Sequence, residues 1–238
     1  MNYGYLFITD YEGSPCNNCF DQLKRSIKSI KDVVEEYKSI VIFTNNITEQ
    51  LKTYGETEEV KIIEIPIVRN YSGLPIASVL VHKIFVLQNF DKDEEIVLLD
   101  LDTKFKSKPN WDLNTATLWT QEYQLISARN LHTVLPFIPW ETIGINFTEQ
   151  FTMKNTGVIF IPKEDRKELC EKAIWITDYL NNGSHKPEDR SCNKLDEQIA
   201  LSIVLEDKYL KYGRLTYAIS FVDHYWAENM QGIRWWEE

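Results

Sequence analysis

Cysteine, net positive charge and long apolar runs are all scarce in this chain, and each scarcity excludes a class of protein. Four cysteines in 238 residues are too few for the disulfide framework of a small secreted domain. No stretch approaches the ~18 uninterrupted apolar residues of a membrane span. The opening Met1-Asn2-Tyr3-Gly4-Tyr5 has neither the basic region nor the apolar core of a secretory leader. These absences predict a cytoplasmic protein whose thiols stay reduced. They also predict that the acceptor-like triplets at Asn46, Asn146 and Asn182 are never glycosylated.

Charge excludes further classes. With 26 Lys and Arg against 36 Asp and Glu, the formal charge is −10, which gives no basic face for nucleic acid and no polybasic membrane patch. A phosphorylated ligand would meet a repulsive average field unless a metal or a local lysine reverses it at the site. Internal repeats, low-complexity tracts and linkers are lacking too. One α/β domain over residues 1–238 is the economical expectation, since the length supports one sizeable core.

What the chain does have is alternation of strand and helix. Residues 5–9 read as a strand, followed by a loop over 10–18. Leu23, Ile27, Ile30, Val34 and Tyr37 then recur at helical spacing. Residues 40–43 form a second strand, 47–54 a short helix, and 61–68 a third strand whose Pro66 marks an edge or an end. Residues 76–87 form a helix that delivers the chain into 96–105. That order predicts right-handed parallel crossovers, with ligands beyond the carboxyl ends of the strands. Later residues predict a loop over 106–113, a short strand over 125–128, an irregular stretch over 136–152 and a strand over 155–162. A helix over 163–179, stopped by Asn181-Asn182-Gly183, precedes another over 195–206 with Ile199, Ile203 and Leu205 on its apolar side. Residues 217–222 are a last strand, leading to an aromatic tail.

The chemistry concentrates at Ile96-Val97-Leu98-Leu99-Asp100-Leu101-Asp102. Four aliphatic residues in a row predict a strand buried on both faces. In extended chain, carboxylates at i and i+2 share a face and can share a cation. No Lys or Arg adjoins them in sequence, and two neighbouring like charges are costly unless a cation or solvent relieves them. Oxygen ligands of this kind suit Mg²⁺ or Mn²⁺, which leave positions for substrate phosphates. A competing signal is Cys16-Asn17-Asn18-Cys19 before a helix. It fits a redox motif, or a zinc site if Cys170 and Cys192 join it, but a redox reading leaves most of the chain without a role.

Taken together, the apolar strand ending in Asp100 and Asp102, the upstream helix carrying Lys83, the strand opened by Asn155-Thr156-Gly157-Val158 and the helix opened by Asp196-Glu197-Gln198 resemble the GT-A fold glycosyltransferases, especially the glycogenin and lipopolysaccharide galactosyltransferase group. The likeness runs over residues 5–226. It implies a single Rossmann-like domain, with a mostly parallel sheet flanked by helices and a mixed C-terminal half. Residues 1–105 would form the nucleotide-binding half and 106–238 the acceptor side.

The same resemblance implies a metal-dependent transferase that moves a sugar from a nucleotide diphosphate, a UDP-sugar by preference, with retention, to an acceptor it does not identify. Asp100 and Asp102 would hold Mn²⁺ or Mg²⁺ against the diphosphate. His224, after a late strand, matches the third ligand, although the Lys-Pro-Trp that follows it in those enzymes is missing here. Lys83 would lie near the diphosphate, and Asn155 would face the sugar beside Gly157, where a missing side chain admits close backbone approach. Asp196 and Gln198 would reach the transferred sugar; an inverting enzyme would instead need a carboxylate base, for which Glu197 is the candidate. Thr9 and Tyr11 would line the base pocket.

Two alternatives remain at this level. Haloacid-dehalogenase-like phosphatases also open with Asp-x-Asp and would use Asp100 as nucleophile, but they want Thr where Lys104 stands, and Thr103 falls one place early. A catalytically inactive nucleotide-sugar binder is the other. A nucleotidylyltransferase would need a Gly-rich, Arg-containing phosphate cradle that residues 10–18 do not supply.

Overall fold

In the computed structural model, residues 1–9, 19–71, 75–121, 138–145, 154–182 and 196–225 are described, and elements are numbered among these. Strands β1 (Asn2–Phe7), β2 (Ser39–Thr44), β3 (Lys61–Glu64) and β4 (Ile96–Leu99) are parallel. Strands β6 (Ala116–Gln121), β7 (Lys154–Phe160) and β8 (Leu215–Tyr217) complete a seven-stranded sheet in the order β3-β2-β1-β4-β7-β6-β8. Strand β7 pairs antiparallel with both β4 and β6, whereas β6 pairs parallel with β8. Six strands therefore share a direction and β7 alone opposes them, which is the mostly parallel sheet with a mixed C-terminal half. A separate antiparallel pair joins β5 (Thr103–Phe105) to β9 (Val222–His224).

Alternation along the central strands feeds two cores. Leu6, Val41, Phe43, Ile96 and Leu98 face one layer, built on α3 (Pro75–Asn89), α4 (Lys163–Asn182) and α5 (Asp196–Lys208). Tyr3, Tyr5, Ile40, Ile42, Val97 and Leu99 face the other, with Leu23, Ile27 and Ile30 of α1 (Cys19–Val33) and the inward residues Phe105 and Val222. All four residues of β4 are buried, as a strand covered on both faces requires. Each fully buried aliphatic side chain contributes roughly 1.5–3 kcal/mol against leaving it in water. The remaining helix, α2 (Glu49–Glu58), is capped by Thr48, whose side chain accepts from the Leu51 amide, and it packs beside the edge strand β3.

Buried and half-buried polar residues fasten the segments that lead into the site. The Arg166 guanidinium donates to the carbonyls of Phe90, Asp91 and Glu94, fixing the turn between α3 and β4. Asp178 accepts from Arg69 and Tyr71, tying the stretch after β3 to α4. Lys154 reaches Glu206 at 2.5 Å, and the Lys154 amide donates to Ser202 Oγ at 2.8 Å, locking the start of β7 to α5.

Several boundaries differ from those read in the sequence. Helix α1 ends at Val33, and Tyr37 is exposed. Strand β3 stops at Glu64, at the sheet edge and before Pro66. The last strand over 217–222 is instead split: β8 ends at Tyr217, a 3-10 turn covers Ala218–Ser220, and β9 begins at Val222. Strand β6 lies between the loop expected over 106–113 and the strand expected over 125–128, in a stretch to which the sequence pattern assigns no element, while residues 125–128 lie outside the described residues. The irregular stretch is described only over 138–145, where Trp140–Ile143 forms a 3-10 helix. Helix α5 is buried all round from Asp196 to Leu205 rather than on one side, its three polar residues at the N-terminus included. Among the described residues no helix is long and apolar enough to cross a membrane.

Candidate active site

Asp100 and Asp102 converge by a different route from the one their spacing suggests. The chain leaves extended conformation at Leu99 and turns over Asp100–Asp102, where the Thr103 amide donates back to the Asp100 carbonyl at 3.3 Å. The two carboxylates are therefore brought together by a turn and not by the two-residue repeat of a strand. That turn is held from beneath. Thr103 Oγ1 donates to the Asp100 carbonyl at 2.8 Å, so Ser26 Oγ must donate to Thr103 at 3.0 Å and Tyr5 OH to Ser26 at 2.8 Å. Ser29 Oγ, in the next turn of α1, accepts the Phe105 amide at 2.9 Å.

His224 arrives through the β5–β9 pair, in which Thr103 stands opposite His224. Its Nε2 lies 3.1 Å from Asp102 Oδ1 and 3.3 Å from Asp100 Oδ2, while neither ring nitrogen has a well-aligned hydrogen-bond partner among the described residues. Together Asp100, Asp102 and His224 offer three ligand atoms within 4.8 Å of one another. Two carboxylate oxygens and an imidazole nitrogen crowded in this way, without hydrogen-bond alignment, fit a shared divalent cation.

Gly157 explains how the ring reaches that position. A β-carbon there would lie 2.4 Å from His224 Nδ1 and 2.5 Å from Cε1, so only a bare backbone lets the imidazole lie against β7. The close approach that this glycine permits is made by the histidine rather than by a ligand. The Gly157 carbonyl also accepts the Asp100 amide at 2.8 Å, and its amide donates to Asn155 Oδ1 at 2.7 Å. Trp119, which no sequence pattern flagged, packs edge-on to His224 at 5.1 Å and donates from Nε1 to the Val222 carbonyl at 2.9 Å. It sits where the β6–β7 register slips, an irregularity that re-aims a side chain.

Lys83 enters from α3 and forms an ion pair with Asp100. The two residues bound a cavity of about 110 Å³ together with Leu80, Asn155, Thr156, Glu197, Gln198 and His224. Burial disfavours the Asp100 charge, but Lys83 and His224 outweigh it and hold the carboxyl below the usual range. Burial likewise opposes charge on His224, and Asp102 and Asp100 overcome it, pushing its pKa up to about 9. At Lys83, burial is overcome by Asp100 and Glu197, which raise its pKa. Glu197 goes the other way: burial pushes its carboxyl up to about 7 despite Lys83.

The other expected site residues divide. Gln198 Oε1 accepts the Thr156 amide at 2.9 Å, so Gln198 and Asn155 line the cavity while their oxygens hold the opening of β7. Asp196 is buried at the helix start on the side of Tyr71, whose ionisation it opposes, and is not among the residues lining that cavity. Thr9 lies beyond the carboxyl end of β1, its amide and carbonyl both bonded to the Asn45 side chain at 2.9 Å. Tyr11, Cys16 and Cys192 lie outside the described residues. Cys170 is packed in the core of α4 with its thiol pushed up to about 12 by burial, unlike a zinc ligand or redox thiolate. The phosphatase alternative is not favoured, since the Thr103 hydroxyl is buried in the turn's hydrogen bonds instead of facing the carboxylates.

No protein-family model matches the sequence, and no curated protein matches it as a relative. Solved structures do match. The galactosyltransferase LgtC, in complex with donor and acceptor sugar analogues, superposes with a TM-score of 0.55 and 13% identity, over 91% of this chain and 73% of that one. The fold is GT-A. The bifunctional glycosyltransferase WbbM, in its apo structure, matches with a TM-score of 0.50 and 12% identity over 91% of this chain and 38% of its own. At such identities the likeness carries the architecture. In the GT-A frame observed here, Asp100, Asp102 and His224 meet at the carboxyl end of β4, where parallel sheets bind ligands.

Proposed function

We propose that the protein is a metal-dependent glycosyltransferase that takes a sugar from a nucleotide diphosphate, a UDP-sugar by preference, and transfers it with retention to an acceptor. The observation that carries this reading is the cluster of Asp100, Asp102 and His224, three ligand atoms within 4.8 Å in a chain of GT-A fold. Those residues fit Mn²⁺ or Mg²⁺, which would supply charge neutralisation to a departing diphosphate, worth several kcal/mol of transition-state stabilisation.

The remaining assignments follow from placement. Lys83 is a buried cation at the same carboxylates, set to meet a diphosphate oxygen and reverse the protein's negative average field. Asn155 and Gln198 orient the sugar from the cavity wall, and Asp196 supports the sugar from the adjoining helix start. Thr9 and Tyr11 line the base pocket beyond β1. In this reading residues 1–105 bind the nucleotide, and residues 106–238 bring His224 and the acceptor side.

A thermal-shift panel of nucleotides and nucleotide-sugars, with and without Mn²⁺, tests the assignment. A UDP-sugar with Mn²⁺ should raise Tm by mass action more than either alone. No shift with any nucleotide-sugar rules out the reading, and binding without donor consumption would make the protein an inactive binder.

A further inference from the structure

One cavity group is left without a task. Glu197 is 2% exposed, its Oε1 accepts from Thr156 Oγ1 at a long 3.3 Å, and its Oε2 has no hydrogen-bond partner among the described residues. A buried carboxyl with an orphaned oxygen is costly to keep. It borders the same cavity of about 110 Å³ as Asp100, Lys83 and His224, so whatever lies next to the cation cluster also faces it. The neighbouring polar side chains are committed: Gln198 and Asn155 hold backbone amides through their oxygens, and Lys83 pairs with Asp100. Glu197 is the cavity carboxylate that belongs neither to the three-residue cation cluster nor to a backbone anchor. Its confinement also argues against a base for an incoming acceptor, which needs an open approach, and for a group that meets the part of the donor nearest the diphosphate.

Resting on the glycosyl-transfer reading above, we propose that Glu197 is the catalytic nucleophile. Its carboxylate oxygen attacks the anomeric carbon, and the bond from that carbon to the diphosphate oxygen breaks with the electron pair leaving on the diphosphate. A glycosyl ester of Glu197 forms with inverted configuration. The acceptor hydroxyl oxygen then attacks the same carbon from the vacated face and the ester bond breaks, returning the electron pair to Glu197. The hydroxyl proton passes to the departed diphosphate. Two inversions give retention. Lys83, close enough to lower the Glu197 pKa against its burial, favours the ionised form that attacks.

The test uses UDP-galactose and Mn²⁺ with the full chain and two variants. Glu197→Gln reports on folding, because it keeps the shape, and Glu197→Ala opens space for a small anion. Both should retain the thermal shift given by UDP-galactose with Mn²⁺ while losing galactose release or transfer about a thousandfold or more. Sodium azide should restore turnover to Glu197→Ala alone, yielding galactosyl azide of configuration opposite to the donor. Transfer by either variant within about tenfold of the native rate overturns the proposal. So does an inactive Glu197→Ala that binds donor normally and gives no glycosyl azide. Absence of a thermal shift in the native chain with every nucleotide-sugar tried, UDP-galactose included, would strike the glycosyl-transfer reading itself, a result separable from both.

Discussion

Glu197 carries a measurable thermodynamic signature. Its carboxyl is raised from 4.5 to about 7 by burial. Below the lower value it is protonated in both the folded and the unfolded chain. Through the window between them the unfolded chain ionises first, so unfolding becomes progressively more favourable as pH rises, and the penalty is complete above about 7. Glu197→Gln should therefore gain stability relative to the native protein between pH 5 and pH 8, by up to about 3 kcal/mol. Urea unfolding at the two pH values reads this directly, and a difference that does not change with pH would contradict it. Gly157 is the complementary case. Gly157→Ala places a methyl 2.4 Å from the His224 ring, so it should destabilise the fold by about 1–3 kcal/mol and weaken Mn²⁺ binding as seen by electron paramagnetic resonance. Neither role was fully legible in sequence. Glu197 sits in a helix opening where acidic residues are expected on dipole grounds alone, and the purpose of Gly157 depends on a histidine 67 positions later.

At the scale of elements, the cluster of Asp100, Asp102 and His224 is a junction of three: the turn after β4, the start of β7 and the end of β9. Strand β4 and helix α3 could be read directly, because a wholly apolar run and a helical repeat of aliphatics leave little ambiguity. The β5–β9 pair was not legible. Three-residue strands are too short to show a period, and their partnership is set by tertiary packing against α1. Small hydroxyl residues do that docking, in the chain from Tyr5 through Ser26 and Thr103 to the Asp100 carbonyl. Ser26→Ala would leave two buried hydroxyls short of a partner and should cost about 1–3 kcal/mol. Because it also loosens the turn, it should weaken Mn²⁺ binding without removing any ligand. Denaturant unfolding combined with calorimetric Mn²⁺ titration checks both effects, and unchanged metal affinity in a destabilised variant would uncouple the chain from the site.

Across the whole molecule, one reversed strand, β7, stands between parallel β1, β2, β3 and β4 on one side and β6 and β8 on the other. Parallel β1, β2 and β4 present their carboxyl ends to one side, and β7 returns through the sheet to place Asn155 and Gly157 beside Asp100. That architecture followed from the order of strands and helices in the first half, where alternation is regular. The second half was read less well because β6 falls in a stretch with no clear periodic signal and β8 and β9 share what looked like one strand. A protein of charge −10 attracts a nucleotide diphosphate only if its cation cluster overcomes the average field. Calorimetric titration of UDP-galactose into the native chain and into Asp102→Asn, each with and without Mn²⁺, isolates that dependence. Mn²⁺ should tighten binding to the native chain by roughly tenfold or more, a coupling of about 1.4 kcal/mol, and Asp102→Asn should abolish the gain while remaining folded. Equal affinity with and without Mn²⁺ in the native chain would contradict it.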